Sequence, residues 1–323
     1  MVLTAGLGTR LRPLSLLRAK PALPVAGVPL AGRILQWLAA AGVPSAVLNL
    51  HHLPATITGA IGDGEAFGIP VRYSWEPVIL GSAGGPAHAL PLLDSDRFFI
   101  INGDTLTDVD LAALGADHLR SGARVTMALV RNPDPLHYGG VTLDAGGAIT
   151  GFSAPGPSNQ GWHFIGAQAV DAGVFAPLDP DRPAETVMGV YREMMTARPG
   201  SVRGFTSGAS FRDIGTAKDY LETSLLVAQA ERRGDCLPGP GATVEPGARA
   251  TRSILWDDVR VGTGAAIRDC VVCDGVVIPP GTQWEGRVVR RREGAAPEPL
   301  EEAIGDVLVS RLDARRPAAA SRT

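Results

Sequence analysis

Short apolar runs alternate with longer amphipathic ones along the first two-thirds of the chain. "AVLNL" 46–50, "IPVRYSW" 69–75, "RFFIING" 97–103 and "RVTMALV" 124–130 are rich in β-branched and aromatic residues and predict strands. Between them, segments such as "GRILQWLAAAG" 32–42 space their apolar residues along one face of a helix. Strands interleaved with helices predict a mostly parallel sheet covered on both faces, with ligands gathering at the carboxyl ends of the strands. "TAKDYLETSLLVAQAERRG" 216–234 closes this region as one helix, with Tyr220, Leu221, Leu225 and Ala228 at helical spacing, a Thr near its start and Gly234 after its end.

The texture then changes. Within 242–282, Val261 and Ile267 recur six apart with small residues and turns between them, the mark of a β-helix of two or three coils that needs capping. These shifts divide the chain into an α/β domain at 1–234, a short β-helix at 235–286 and a basic, flexible tail at 287–323. The tail holds Arg287, Arg290, Arg291 and Arg292 as a solvated run, a short helix through Ile304, Val307, Leu308 and Leu312, and a disordered Ala/Arg/Ser end.

At 323 residues, 45% hydrophobic and 20% charged, the chain has the profile of about two globular domains. A net charge of −3 draws it neither to nucleic acid nor to an anionic membrane, so phosphate binding must come from local sites. The first residues lack a signal peptide's basic and apolar regions, and no apolar run reaches the ~18 residues of a membrane helix; the expectation is a cytoplasmic protein. Cys270 and Cys273 form a C-x-x-C with neither a second pair nor a His cluster at zinc spacing, which predicts buried structural thiols.

The chemistry starts in "AGLGTRLRPL" 5–14. A P-loop would end in Gly-Lys-Ser/Thr, and a dinucleotide fingerprint needs a third glycine where Leu11 stands; both fail. What remains is a turn, Gly6-Leu7-Gly8-Thr9-Arg10, whose backbone N–H groups can approach a phosphate chain while Arg10 supplies charge-assisted donors. "KPALPVAG" 20–27, Asn102-Gly103-Asp104 and "FRDIGT" 211–216 add a lysine and two carboxylates. Two cations and two acids suit phosphoryl-type transfer, the acids holding a Mg²⁺ that bridges phosphate oxygens. The competing structural readings are a turn cap for Asp104, a helix cap for Asp213 and ordinary packing for Tyr138.

The set resembles the sugar-1-phosphate nucleotidylyltransferases, in their mannose-1-phosphate guanylyltransferase-like branch. That family opens on L-x-A-G-x-G-T-R-L-x-P-L-T and K-P-x-L-P-V; here stand "LTAGLGTRLRPLS" and "KPALPVAG". "EPVILGSAGG" 76–85 is similar to its E-x-x-x-L-G-T-A-G, and "FRDIGTAKDYL" 211–221 to its W-x-D-I-G-T-P-x-D-Y, so the match spans residues 3–221. The resemblance implies a Rossmann-like, mostly parallel sheet flanked by helices (the nucleotide-diphospho-sugar transferase type) with a short C-terminal left-handed β-helix. It implies that Leu3, Ala5 and Gly6 face the nucleobase, and that Gly8, Thr9 and Arg10 hold the triphosphate. Lys20 would contact the reacting phosphates, while Gly81, Ser82, Ala83 and Gly84 form part of the base and ribose pocket. Asp104 and Asp213 would be Mg²⁺ ligands, with Tyr138, Gly139, Gly140 and the strand through Gly166 on the sugar side.

Two departures stand out. The chain begins only four residues before the "AG", which shortens the first strand; a true start upstream would restore it. The family's sugar-side E-K-P is absent, and 149–161 reads "ITGFSAPGPSNQG", leaving Arg212 or His163 to replace its lysine. The implied reaction joins an NTP to a sugar 1-phosphate with release of pyrophosphate and needs no nucleophilic side chain, and none of the usual nucleophile patterns occurs. Mannose-1-phosphate guanylyl transfer leads. The alternatives are uridylyl transfer to N-acetylmuramic acid 1-phosphate, uridylyl or thymidylyl transfer to glucose 1-phosphate, and a non-catalytic subunit that senses nucleotide-sugars. Residues 235–323 hold no His, which sets aside acyl transfer by the β-helix; homo-oligomer assembly is the role expected of it.

Overall fold

In the computed structural model, which describes residues 1–314, the chain divides into two units. One comprises Met1–Gly6 and Ala31–Arg212; the other comprises Leu7–Leu30 and the chain from Asp213 onward. The signature segment after Gly6 therefore groups with the C-terminal half, a division that sequence order does not display.

The first unit is built on a nine-stranded sheet. Its strands are β1 (Val2–Leu3), β2 (Ala46–Leu50), β3 (Val71–Trp75), β4 (Arg97–Asn102), β5 (Val125–Arg131), β6 (Gly140–Leu143), β7 (Ile149–Ser153), β8 (Trp162–Asp171) and β9 (Val202–Thr206). The order is β7-β6-β8-β4-β1-β2-β3, with β5 pairing β8 and β9 pairing β5. From β3 to β4 the strands are parallel, β8 runs antiparallel to β4 and β5, and β9 is again parallel to β5. Every residue of β2 is buried, as expected of a central strand covered on both faces. Helices α1 (Leu30–Ala40), α2 (Pro54–Ile61), α3 (Gly81–Leu93), α4 (Leu111–Ser121) and α5 (Tyr191–Ala197) accompany the sheet. Val47, Ala83, Ala87, Ile100, Met127, Val170, Phe175 and Tyr191 belong to its core. Short as it is, β1 sits centrally, with Val2 registered against Leu48 on one side and Ile101 on the other. The mostly parallel α/β architecture follows the sequence pattern.

In the second unit, α6 (Ala217–Ala230) starts at a capping box in which Thr216 and Asp219 satisfy each other's backbone N–H groups. A β-helix follows. Strands at 236–238, 253–255, 271–272 and 287–291 stack in parallel on one face, and two further three-stranded parallel stacks complete the triangle. Left-handed backbone recurs at Gly241, Gly247 and Arg252, at Asp258, Gly264 and Asp269, and at Gly275, Gly281 and Gly286. Those corners are six, six and five residues apart, so each coil takes 17 residues and the hexad rhythm drops a residue at every third side. Cys270 and Cys273 are buried in it as free thiols, and burial pushes the Cys270 thiol up to about 11.

The expected tail requires correction. Residues 287–291, 301–304 and 307–311 are strands, and the last two form an antiparallel hairpin that covers the final coil. Ile304 pairs Val307 across Gly305-Asp306, so the spacing of Ile304, Val307 and Leu308 that imitates a helix is a two-residue turn between strands. Val307 and Val309 join the β-helix core. Nor is the basic run all solvated: Arg290 is buried and grips Glu301 through two hydrogen bonds of 2.8 and 2.7 Å. The predicted disordered end falls on residues 315–323, outside the described residues.

Candidate active site

The first unit gathers several predicted site residues at the carboxyl ends of β1 and β4. The Gly103 N–H donates to the Leu3 carbonyl at 2.9 Å, and a Cβ at Gly103 would lie 2.3 Å from that oxygen. Only glycine lets the two strand ends approach so closely, and Asp104 follows directly. Asp104 lies in the turn between β4 and the strand Thr105–Thr107, and Thr105 donates its hydroxyl to it at 3.2 Å. Gly166, at φ +78° in an irregular stretch of β8, packs against Asn102; a Cβ there would come 2.9 Å from the Asn102 Cβ. Leu3, Ala5, Gly6, Gly166 and Asp104 thus belong to one neighbourhood. Ala5 is buried and Gly6 exposed, with open space above the Gly6 α-carbon.

Behind these residues lies a network to which the sequence reading gave no role. Glu76 is fully buried. It accepts from the Asn49 amide at 2.7 Å and from the Leu80 N–H at 3.0 Å, while Asn49 accepts from the Thr4 N–H at 2.7 Å. Thr4 also donates its hydroxyl to the Asn49 carbonyl. One carboxylate therefore ties the end of β1 to the turn that leads into Gly81. The sequence signal was the acid that opens the E-x-x-x-L-G-T-A-G pattern, a position Glu76 fills in "EPVILGSAGG".

Gly81 starts α3 at φ +76°. Ala83 and Gly84 are buried, and their N–H groups both donate to the Ala184 carbonyl, at 2.9 and 3.1 Å. The Ser82 hydroxyl is committed to Glu185 and accepts from the Thr186 N–H at 2.9 Å. The Ser82 hydroxyl and the Ala83 and Gly84 N–H groups are therefore engaged within the protein.

On the predicted sugar side, Tyr138 lies against His163 at 4.6 Å and Phe211 at 5.3 Å between ring centroids. Gly139 offers its carbonyl to the His163 Nδ1 at 3.0 Å, and a Cβ at Gly140 would lie 2.7 Å from the Asn159 side chain. Burial lowers the His163 pKa below its ordinary value, so the ring is neutral at pH 7 and supplies no cation. Arg212 is exposed and lines an open cleft of about 740 Å³ with Arg131, His137, Tyr138 and Phe211. Arg131 stacks on Trp162 at 4.3 Å. Among the described residues no carboxylate pairs with Arg131 or Arg212. A separate cavity of about 750 Å³, lined by Leu38, Val47, Phe99 and Leu111 among others, contains none of the predicted site residues.

The second unit holds the other five, Gly8, Thr9, Arg10, Lys20 and Asp213. Gly8, at φ +59°, caps the turn Thr9–Leu11; Ser15 donates its hydroxyl to the Gly8 carbonyl at 2.8 Å, and buried Leu11 anchors the loop. A solvent-facing Arg10 and a nearly buried Lys20 converge on Asp213, at 4.0 and 3.9 Å to its two oxygens. Arg10 lies over Gly215, where a Cβ would come 2.9 Å from its guanidinium. Thr216 caps α6, so Asp213 is not that helix's cap.

Residues 1–230 match the sequence profile of the nucleotidyl transferase family. The chain belongs to that family. This nucleotidyltransferase is 32% identical over 303 residues to the mannose-1-phosphate guanylyltransferase of Mycobacterium tuberculosis, covering 90% of this chain and 82% of that one. It is 45% identical over 136 residues to the N-acetylmuramate alpha-1-phosphate uridylyltransferase of Neisseria meningitidis, covering 41% and 59%. In fold it is similar to HddC from Yersinia pseudotuberculosis, solved with GMP-PN, with a TM-score of 0.61 at 23% identity over 69% of this chain and 96% of that one. The nucleotidyltransferase is an enzyme, and among its described residues no helix is long and apolar enough to cross a membrane.

Proposed function

We propose that this nucleotidyltransferase is a mannose-1-phosphate guanylyltransferase, joining mannose 1-phosphate to GTP. A phosphate oxygen of the sugar attacks the α-phosphorus, the bond to the β-phosphate oxygen breaks, and pyrophosphate leaves with the electron pair. The nucleophile is already anionic at neutral pH, so the protein's work is positioning and charge neutralisation. The observation that carries the reading is the meeting of Arg10 and Lys20 on Asp213, two cations held about 4 Å from one carboxylate. Two cations gathered at one point suit the charge of a polyphosphate.

In this reading the N–H groups of Gly8 and Thr9, with Arg10, receive the triphosphate, and Lys20 contacts the reacting phosphates. Leu3, Ala5, Gly6 and Gly81 border the base and ribose, and Tyr138, Gly139 and Gly166 border the sugar. Asp104 and Asp213 would hold Mg²⁺. Carboxylate oxygens are the hard donors Mg²⁺ takes, and among the described residues no group of three or more acidic, His or Cys side chains is placed to hold a metal. When bound, the ion would neutralise and bridge the phosphates. With the family's lysine missing and His163 neutral, Arg212 is the residue proposed for the sugar phosphate. Support for guanylyl transfer comes from the similarity to the mycobacterial enzyme, which covers 90% of this chain.

The second reading, uridylyl transfer to N-acetylmuramic acid 1-phosphate, is favoured by the higher identity over 136 residues to the neisserial enzyme. Pyrophosphate release with each of GTP plus mannose 1-phosphate and UTP plus N-acetylmuramic acid 1-phosphate separates the two.

A further inference from the structure

Asp257 and Asp274 are 17 residues apart, one coil of the β-helix, so they occupy the same corner on adjacent rungs. Two like charges at the ~4.8 Å spacing of neighbouring strands repel each other unless a cation joins them. Arg18 is that cation. Its Nη2 donates to Asp257 at 2.6 Å and to Asp274 at 2.6 Å, and its Nε donates to Asp274 at 3.1 Å. The guanidinium also lies 4.9 Å from the centre of the buried Trp256 ring, with its side chain only 19% exposed. A second tether follows six residues on: Trp256 Nε1 donates to the Tyr220 hydroxyl at 3.1 Å, and that hydroxyl donates to the Pro24 carbonyl at 2.8 Å. Residues 18 and 24 are thus both fixed by neighbouring positions of the β-helix, Trp256 and Asp257. Between these tethers stands Lys20, at the start of the short turn Lys20–Ala22.

We propose that Arg18 is a positioning residue: clasped by the stacked carboxylates of two successive coils, it holds the segment that presents Lys20, which makes the β-helix a working part of the transferase. The proposal rests on the transferase reading for its kinetic consequence, but its structural half stands apart from that reading. A lysine mounted on a short 3₁₀ turn, a weak element by itself, takes its place from what grips the turn's ends. Small displacements of a charge-neutralising group cost large factors in rate.

The test compares the full-length wild type with Arg18→Met, with the double variant Asp257→Asn/Asp274→Asn, and with Arg268→Gln as a control on an exposed corner pair. Arg18→Met leaves two acids facing each other and could unfold the coil; the double-asparagine variant releases the same grip without that repulsion. Amide exchange is read at Ala22 and Leu23, whose N–H groups bond Ala19 and Lys20. The expected result is exchange at least about tenfold faster there in both grip variants, unchanged exchange across Ala46–Leu50, and kcat lowered about tenfold or more with the KM for NTP within about threefold. Combining Arg18→Met with Asp274→Asn should lower kcat no further than Arg18→Met alone. Unchanged exchange at Ala22 and Leu23 in a folded variant overturns the proposal, and so does faster exchange with wild-type kcat. A wild type that releases no pyrophosphate sinks the transferase reading alone, and the exchange rates still decide whether Arg18 holds the segment.

Discussion

Several glycines in and beside the signature motifs are required by the protein itself. At Gly103 the neighbour is the Leu3 carbonyl, at Gly85 it is Glu76 Oε1 at 2.7 Å from a would-be Cβ, and at Gly166 it is Asn102. Gly8 does need its positive φ, whereas Gly6 has open space around it, the arrangement expected where another molecule comes close. Gly103→Ala should therefore destabilise by at least ~1–3 kcal/mol through the clash with β1, read as a lower urea midpoint at unchanged slope. Glu76 makes a similar case. Replacing it with Gln turns one buried acceptor into a donor facing a donor, so a loss of ~1–3 kcal/mol is expected together with weaker nucleotide binding. Full stability in that variant would remove Glu76 from the account. Arg10, Lys20 and Asp213 were legible because a motif names them. Glu76 stands in a motif as well, but neither its role nor that of Asn49 was legible, since burial and partnership are properties of the folded chain.

Among the elements, strands and helices with clean periodicity were readable: β2, β4, β5, α1 and α6 lie where the pattern puts them. α3 was not readable, because Gly84, Gly85, Pro86 and Pro91 all oppose a helix. Burial overrides propensity there, as the close approaches of Gly84 and Gly85 to Arg182 and Glu76 leave no room for larger residues. The terminal hairpin failed for the opposite reason: a Gly-Asp turn gave two strands the spacing of one helix. α6 depends on its start, so Thr216→Ala should cost about 1 kcal/mol, measurable as a fall in Tm. α4 carries a pH signature. His118 sits between Thr126 at 2.9 Å and Asp171 at 3.3 Å, and burial holds its pKa below 6.5 despite the carboxylate. The folded state thus favours the neutral ring while the unfolded chain takes up a proton below pH 6.5. The resulting stability is present above pH 6.5 and is lost as the pH falls below it. Urea midpoints at pH 7.5 and 5.5 should differ more for the wild type than for His118→Gln.

For the whole molecule, the sequence suggested a catalytic domain with an appendage, whereas contacts group the signature segment 7–30 with the β-helix. A boundary drawn along the sequence cannot show this, because the ties run from Arg18 to residues more than two hundred positions away. Assembly through the β-helix stays an independent proposal; sedimentation of the full chain should give a dimer or larger species, and a monomer at working concentration would count against it. The central claim is transfer of a nucleotidyl group to a sugar 1-phosphate. Its most direct measurement is pyrophosphate release with Mg²⁺ across a grid of NTPs and sugar 1-phosphates, with Asp104→Asn beside the wild type. The account predicts strongest turnover with GTP and mannose 1-phosphate, reduced at least about a hundredfold in the variant. Silence across the grid from folded protein, or an Asp104→Asn enzyme as fast as the wild type, would contradict it.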